Sequence, residues 1–539
     1  MAKPKTPNQK RKYSELNKRL AKYVMLVESI YEDLNLEAAK IVGITDFTID
    51  SDRPFMWSDY PQTRKRIRDL QERFVEDIGA VIYSGTSEEW KNSNEVQDLL
   101  ANKVLQTYGV TIGKKNYEIL YQPNNDALKA FQQRKDKGFT ISDKLWNQST
   151  LYKQELEEAI SCAIQKGTSA IILSKQISKY LLDFPQLQKD YRERFGKASR
   201  SMDCEYRSIR LAASEINMAY RQAENLRWQQ MDFVVGYEIK LSNNHTCNGK
   251  PFQDICDILA GKYPKDFQWT GWHPLCRCYK IPILKTEEEF WEWDGRSEAT
   301  TASVNEVKDV PDAFKKWVLD NQERISTAKK RNTLPYFLRD NKSVYQKITV
   351  ESSISEIVKR ASSVGDEVQS TAERIAIKNG GYVTPINFKS TTSITRKVIT
   401  EGITPYDIKD AVRTTIIVPK SRIEDVLEEL HKTEGFLRLK RQKPESFMGY
   451  SGNIVNIRTT NGLTAEIQVN TERMIYAKER PEDAKRILGK KRWEEIHNET
   501  GMEGGLGHKY YEQWRILDKS SNEALKIVEK SIEYYSHFR

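Results

Sequence analysis

The sequence predicts a multidomain protein: a mostly α N-terminal half ending in a small β- and cysteine-rich unit, then an α/β (α+β) domain on a mixed sheet. Three observations predict it. Apolar residues recur at helical spacing from residue 8 to about residue 230. Four of the six cysteines lie between Cys247 and Cys278. From about residue 350, strand-like and helical patterns trade places at short intervals. A chain of 539 residues also exceeds one ordinary domain.

Residues 1–135 read as a helical N-terminal region. Met1-Ala2-Lys3-Pro4-Lys5-Thr6-Pro7 is a basic arm with no apolar stretch behind it, so it is not a secretory signal. Leu16, Leu20, Tyr23, Val24, Val27, Ile30 and Leu34 fall on one helical stripe, and residues 63–82 set Ile67, Leu70, Phe74 and Ile78 beneath alternating charges. Residues 136–290 form the second region. There Gly167 and Thr168 separate helices 151–165 and 171–182, Pro185 is expected to end the second, and 207–230 is amphipathic. Strands follow at 233–241 and 279–284. Residues 291–350 hold a polar linker, 295–303, and a connecting helix, 311–327. Residues 351–539 alternate: helix 354–378, strand 383–388, helix 392–400, strand 413–418, helix 421–432, strands 453–458 and 463–470, then helices.

Composition excludes some classes. With 38% hydrophobic and 30% charged residues the chain folds, and no run approaches the ~18 apolar residues of a membrane span. No membrane partner is expected. The net charge of +10, from 86 basic and 76 acidic residues, is compatible with an anionic partner without defining one. Six cysteines in so long a chain argue against a disulfide scaffold.

Cys247, Cys256, His273, Cys276 and Cys278 lie within 32 residues and offer donors that suit Zn²⁺. The spacing is not that of a familiar finger, because Cys247 has no partner two or three residues on. It favours the other reading, cysteines as small buried hydrophobes with His273 capping a turn.

In the same region Ser214-Glu215-Ile216-Asn217, Leu241-Ser242-Asn243-Asn244-His245-Thr246-Cys247, Gly261-Lys262-Tyr263 and His273-Pro274-Leu275-Cys276-Arg277-Cys278 resemble the MuF-type phage head morphogenesis (minor head) family. The likeness spans residues 140–285, and Lys250 replaces the second cysteine of the family's frequent Cys-x-x-Cys. It implies a minor head protein in the capsid interior, partnered by portal and capsid proteins, with the basic arm available to phage DNA.

In the last region two carboxylates anchor the chemistry. Asp410 opens the strand 413–418, and Glu466 shares one face of 463–470 with Gln468 and Asn470, while Ile467 and Val469 point inward. A face of that kind is expected to be wet. Lys389, Ser390, Ser393 and Lys397 sit at a strand-to-helix junction that favours anions. Tyr450 follows Gly449 in a loop suited to base stacking, and His508 adds a late imidazole. Without a phosphate-binding glycine loop, such a site must hold Mg²⁺ and polyphosphate through carboxylates and cations.

The order of these residues resembles the RelA/SpoT alarmone synthetases. Residues 388–397 are similar to their Arg-x-Lys-x-x-x-Ser-Ile-x-x-Lys segment, and 410–418 to their Asp-Ile-Ala-Gly-Ile-Arg strand. Gly449-Tyr450, Glu466-Ile467-Gln468-Val469-Asn470-Thr471 and Met474 match further landmarks. The resemblance implies that Asp410 and Glu466 hold Mg²⁺ and that Tyr450 stacks on an acceptor nucleotide or tRNA end. Glu466 would assist in holding that metal or activate the acceptor hydroxyl for attack on the β-phosphate of ATP. Lys389, Ser390, Ser393, Lys397, Gln468 and His508 would bind substrate. Asn387, Ile454 and Asn470 stand where the family carries arginine, histidine and arginine, and Arg413 comes early in its motif. A different ATP grip, a different acceptor and an inactive fold all stay open. Together the two resemblances imply a virion-borne effector or toxin that acts in the bacterial cytoplasm. The alternative is a structural capsid protein with an inactive C-terminal binding module.

Overall fold

The first apolar stripe buries Leu16, Val27, Tyr31 and Leu34 along α1 (Gln9–Ile44). Next, α2 (Arg64–Tyr108) runs 45 residues, well beyond the segment that apolar periodicity marks. The extension buries a polar face: Glu89 accepts from Arg19 at 2.6 Å, Asn94 from Arg227 at 3.0 Å and Gln97 from Trp228 at 2.7 Å. A face buried by pairing is invisible to hydrophobic periodicity.

α3 (Lys114–Leu120), α4 (Asn125–Gln133), α5 (Ile141–Ala163), α6 (Ala170–Leu182) and α7 (Phe184–Phe195) lead to α8 (Cys204–Gln229). Pro185 begins α7 rather than ending α6, because Asp183 caps the helix and accepts from Gln186 N at 3.1 Å. In a first turn proline loses no hydrogen bond. α2 and α8 approach closely at Gly85, where a Cβ would lie 2.5 Å from Ile216 Cδ1.

This is a computed structural model describing residues 6–44, 53–163, 170–242, 246–247, 250–251, 253–286, 288–289, 302–443, 448–515 and 517–539. The basic arm through Lys5 and most of the expected linker lie outside them. The chain divides into two units, Met1–Tyr345 and Gln346–Arg539. It is a multidomain, helix-rich protein with mixed sheets. Among the described residues no helix is long and apolar enough to cross a membrane.

In the first unit β1 (Val234–Lys240) is central. β2 (Thr246–Cys247) and β3 (Lys250–Pro251) form a separate pair, and β4 (Gly261–Tyr263) and β5 (Tyr279–Leu284) flank β1, both antiparallel. The expected connecting helix is two, Asp312–Asp320 and Gln322–Lys330, joined at Asn321.

In the second unit the expected helix 354–378 is also two, Lys342–Ser363 and Gly365–Lys378. At Gly365 a Cβ would lie 2.6 Å from the Phe388 ring. The expected strand 383–388 splits into β6 (Tyr382–Val383) and β7 (Asn387–Phe388) around Pro385, which has no N–H for the ladder. The sheet order is β6-β8-β11-β10-β9, with β7 also on β8: β8 (Val412–Ile417), β9 (Phe436–Gln442), β10 (Gly452–Arg458) and β11 (Thr464–Asn470). β8 and β11 are parallel and the other pairs antiparallel. β9 was unforeseen: three of its seven residues are cations, suited to an edge strand and masking its periodicity.

Ala465, Ile467 and Val469 enter the main core with Val412, Ile416, Ile375 and Leu430. The opposite face corrects the expected wet surface. A second cluster, including Met474, Tyr476, Tyr534 and Tyr535, lies beside that end of the sheet, and Gln468 and Asn470 are buried. Asp410 also departs from expectation, lying in the connector two residues before β8 rather than on the strand.

Candidate active site

Ser390 ends the β7 connector and caps the helix Thr391–Glu401, accepting from Ser393 N at 3.2 Å. That helix and the approach to β8 bring Lys389, Ser390, Ser393, Lys397 and Asp410 to one pocket of about 500 Å³. Asp410 accepts from Lys389 Nζ at 2.5 Å and from Lys397 Nζ at 3.1 Å. Burial raises its pKa, but the two ammonium groups outweigh that and hold the carboxyl below its usual range. The walls carry five cations, Lys389, Arg396, Lys397, Arg413 and Arg515, against Asp410 and Glu401. Such an excess fits a polyphosphate.

Arg413 leads to the second half of the site. The parallel register sets it beside Glu466. Gln468 Nε2 donates to Glu466 Oε1 at 2.7 Å, and Lys478 Nζ donates to Gln468 Oε1 at 2.9 Å, so two side chains fix the carboxylate from behind. Lys478 also stands 5.6 Å from the centre of the Tyr450 ring. Burial lowers its pKa, yet Tyr450 and Glu479 outweigh burial and raise it. Burial raises Glu479, but Lys478, Arg413 and His508 hold it below the usual range. His508 Nε2 is buried without a hydrogen-bond partner among the described residues.

Tyr450 is half-buried rather than a free platform. Its hydroxyl accepts from Asn470 Nδ2 at 2.8 Å, and its ring meets Tyr535 edge-on at 5.6 Å. Gly449 is required before it: φ is +75°, and a Cβ would lie 2.5 Å from Ile532 Cα.

The carboxylates suit Mg²⁺, a hard ion that takes one or two protein carboxylates and completes its shell with substrate phosphates. Asp410 lines the cation-rich pocket and Glu466 does not, so the two expected ligands do not share that cavity. Both Asp410 oxygens accept from lysines here, so metal binding would release those ammonium groups to the phosphates.

Sequence reasoning missed Arg515 and Tyr511, which reach the pocket from a helix about a hundred residues downstream of Asp410. It also missed the backing of Gln468 by Lys478.

In the first unit, Cys256, Cys276 and Cys278 are buried with their sulfurs all within 4.8 Å of one another. Cys256 Sγ lies 3.8 Å from Cys276 Sγ and 3.1 Å from His273 Nε2. All three are buried, as the reading of them as small hydrophobes expects, and they also stand together with His273 beside Cys256. Cys247 has its backbone in β2, and its side chain lies outside the described residues.

The second unit is thus an α/β domain with a cation-rich pocket beside an oriented glutamate. No family model matches the chain. A curated relative, "(p)ppApp synthetase toxin Tas1" of Pseudomonas aeruginosa (strain UCBPP-PA14), is 36% identical over 181 residues, covering 33% of this chain and 41% of the relative. The chain therefore spans less than half of that relative's length. A solved structure, the complex between the type VI effector Tas1 and its immunity protein, matches at 36% identity over 35% of this chain and 97% of its own, with a TM-score of 0.33. Part of this chain is homologous to part of the Tas1 toxin. Neither match concerns a phage head protein.

Proposed function

We propose that the second unit is a RelA/SpoT-like pyrophosphotransferase toxin that moves pyrophosphate from ATP to an adenosine nucleotide. The pocket around Asp410 carries this reading, because five cations converge where the resemblance expects a triphosphate. The homology to a (p)ppApp synthetase supports adenosine over guanosine as the acceptor.

In the reaction, Glu466 takes the proton of the acceptor hydroxyl. The freed oxygen bonds to the β-phosphorus of ATP, the bond from the β-phosphorus to the α–β bridging oxygen breaks, and AMP leaves. Lys389, Lys397 and Arg413 bind the phosphates, while Gln468 and Lys478 keep Glu466 oriented. Bound Mg²⁺ supplies charge neutralisation on the phosphates. A dedicated immunity protein is the expected partner of such a toxin, by analogy with the Tas1 complex.

The test is incubation of the full chain with labelled ATP, Mg²⁺ and separate adenosine nucleotides, guanosine nucleotides or tRNA. Pyrophosphorylated adenosine nucleotide and AMP are expected, and Glu466→Gln should remove both. No transfer to any acceptor would end the enzymatic reading.

A second reading concerns the first unit, as a phage minor head module. Asn217 Nδ2 donates to Cys276 O at 2.9 Å and Leu275 N to Ser214 Oγ at 3.3 Å, so two motifs quoted for that family meet in space. Absence of the protein from purified particles, with no binding to portal, would remove this reading and its virion location.

A further inference from the structure

We propose that the first unit binds one structural Zn²⁺ ion through Cys256, His273, Cys276 and Cys278. Metal–sulfur bonds of about 2.3 Å in a tetrahedron set neighbouring sulfurs about 3.8 Å apart. Cys256 and Cys276 have that separation, 3.8 Å, and Cys278 completes a triangle with every edge below 4.8 Å. A disulfide needs about 2.05 Å and uses two sulfurs, leaving the third unexplained.

His273 reaches Cys256 without yet grouping with all three sulfurs, so as fourth ligand its imidazole would close on the ion. Its Nδ1 lies 2.7 Å from Pro274 O, so an Nδ1 proton has an acceptor, and its Nε2 stands 3.1 Å from Cys256 Sγ and 3.3 Å from Asp254 Oδ2. Zinc-bound histidines are oriented through their other nitrogen in this way. The backbone is shaped to match. Leu275 adopts φ +61°, which turns the chain between His273 and Cys276, and Cys276 N donates to His273 O at 3.2 Å. Asp254 caps the one-turn helix carrying Cys256, and its Oδ2, now 3.3 Å from His273 Nε2, would give up that nitrogen to the ion.

The second, independent observation is electrostatic. Arg221 is 1% exposed, and its guanidinium donates to the carbonyls of Thr270, Cys276 and Cys278. Among the described residues no carboxylate stands within ion-pair distance of it, and the buried Glu224 is paired with Lys280. A buried cation without a counter-charge is costly. Three thiolates, one neutral imidazole and Zn²⁺ sum to a single negative charge directly beneath those carbonyls. The ion would join the Cys256 helix to the strand that begins at Tyr279, fixing β5 against α8.

The test is metal analysis of the full chain, purified without chelator and dialysed. One zinc per chain is expected, released by a mercurial thiol reagent. Co²⁺ exchange should give the intense visible bands of a tetrahedral thiolate centre, which needs no variant. Cys278→Ser and His273→Ala should each weaken zinc binding by at least the ~10–100-fold of an outer-shell change, while Cys162→Ser should not. A folded wild-type chain that retains no stoichiometric zinc after zinc loading would overturn the assignment. So would a disulfide among the three cysteines, or zinc affinity unchanged in His273→Ala.

Discussion

In the first unit charges are buried and matched, whereas in the second they are gathered and left in excess. Lys280 and Glu224, both fully buried, lie 3.3 Å apart, and the fully buried Glu89 is held by Arg19. These pairs join α1 to α2 and α8 to β5. Around Asp410, by contrast, one carboxylate serves two lysines while three arginines share the same walls. Matched burial builds a scaffold, and an unmatched surplus in a cavity is an offer to an anion. Arg221, with no carboxylate within ion-pair distance among the described residues, departs from that pattern and stands over the cysteine cluster.

The largest effect should come from Glu466→Gln, with a loss of about 10²–10⁴-fold in transfer, the range for a positioned base, and metal-free nucleotide affinity nearly unchanged. Steady-state kinetics with separate binding assays will read this. Equal losses in binding and turnover would make Glu466 part of the grip instead. In the scaffold, Lys280→Met strands a buried carboxylate and should cost about 3–5 kcal/mol in denaturant unfolding. A cost near zero would remove the contrast. Lys389→Met should lower kcat/KM for ATP by about 10–100-fold through loss of a charge-assisted contact. Asp410→Asn should tighten metal-free binding of ATP while ending Mg²⁺-dependent turnover, because it frees two ammonium groups.

The smallest effect concerns pH. Burial, then Glu28, Asp203, Glu32 and Glu155, push Glu205 up to about 7. Its folded pKa is raised, so its contribution is fully present below the unfolded carboxyl value and is lost as pH rises through about 7. Glu205→Gln should restore about 1–2 kcal/mol at pH 8, allowing for solvent screening, and flatten the unfolding curve between pH 5 and 8.

Much of the pocket was legible because its parts are local. Lys389, Ser390, Ser393 and Lys397 follow one another across a strand-to-helix junction, and helical spacing alone puts the last two on a shared face. Glu466 and Gln468 follow from the two-residue period of a strand. Arg515 and Tyr511 were not legible, since tertiary packing, not spacing, brings their helix to the pocket. The same holds for Tyr450, whose exposure is set by Tyr535, and for Cys256, which meets Cys276 only through the turn at Leu275. Long α2 was underestimated because Glu89, Asn94 and Gln97 read as surface until their partners are known. β9 was missed because cations on an edge strand hide its alternation.

The central claim is that the lysines on Asp410 belong to a polyphosphate. Calorimetric titration of the full chain with non-hydrolysable α,β-methylene ATP tests it most directly. One site per chain is predicted, weakening steeply with salt and lost in the Lys389→Met/Lys397→Met double variant. Saturable binding unchanged by that double variant, or no binding to the wild-type chain, would contradict it.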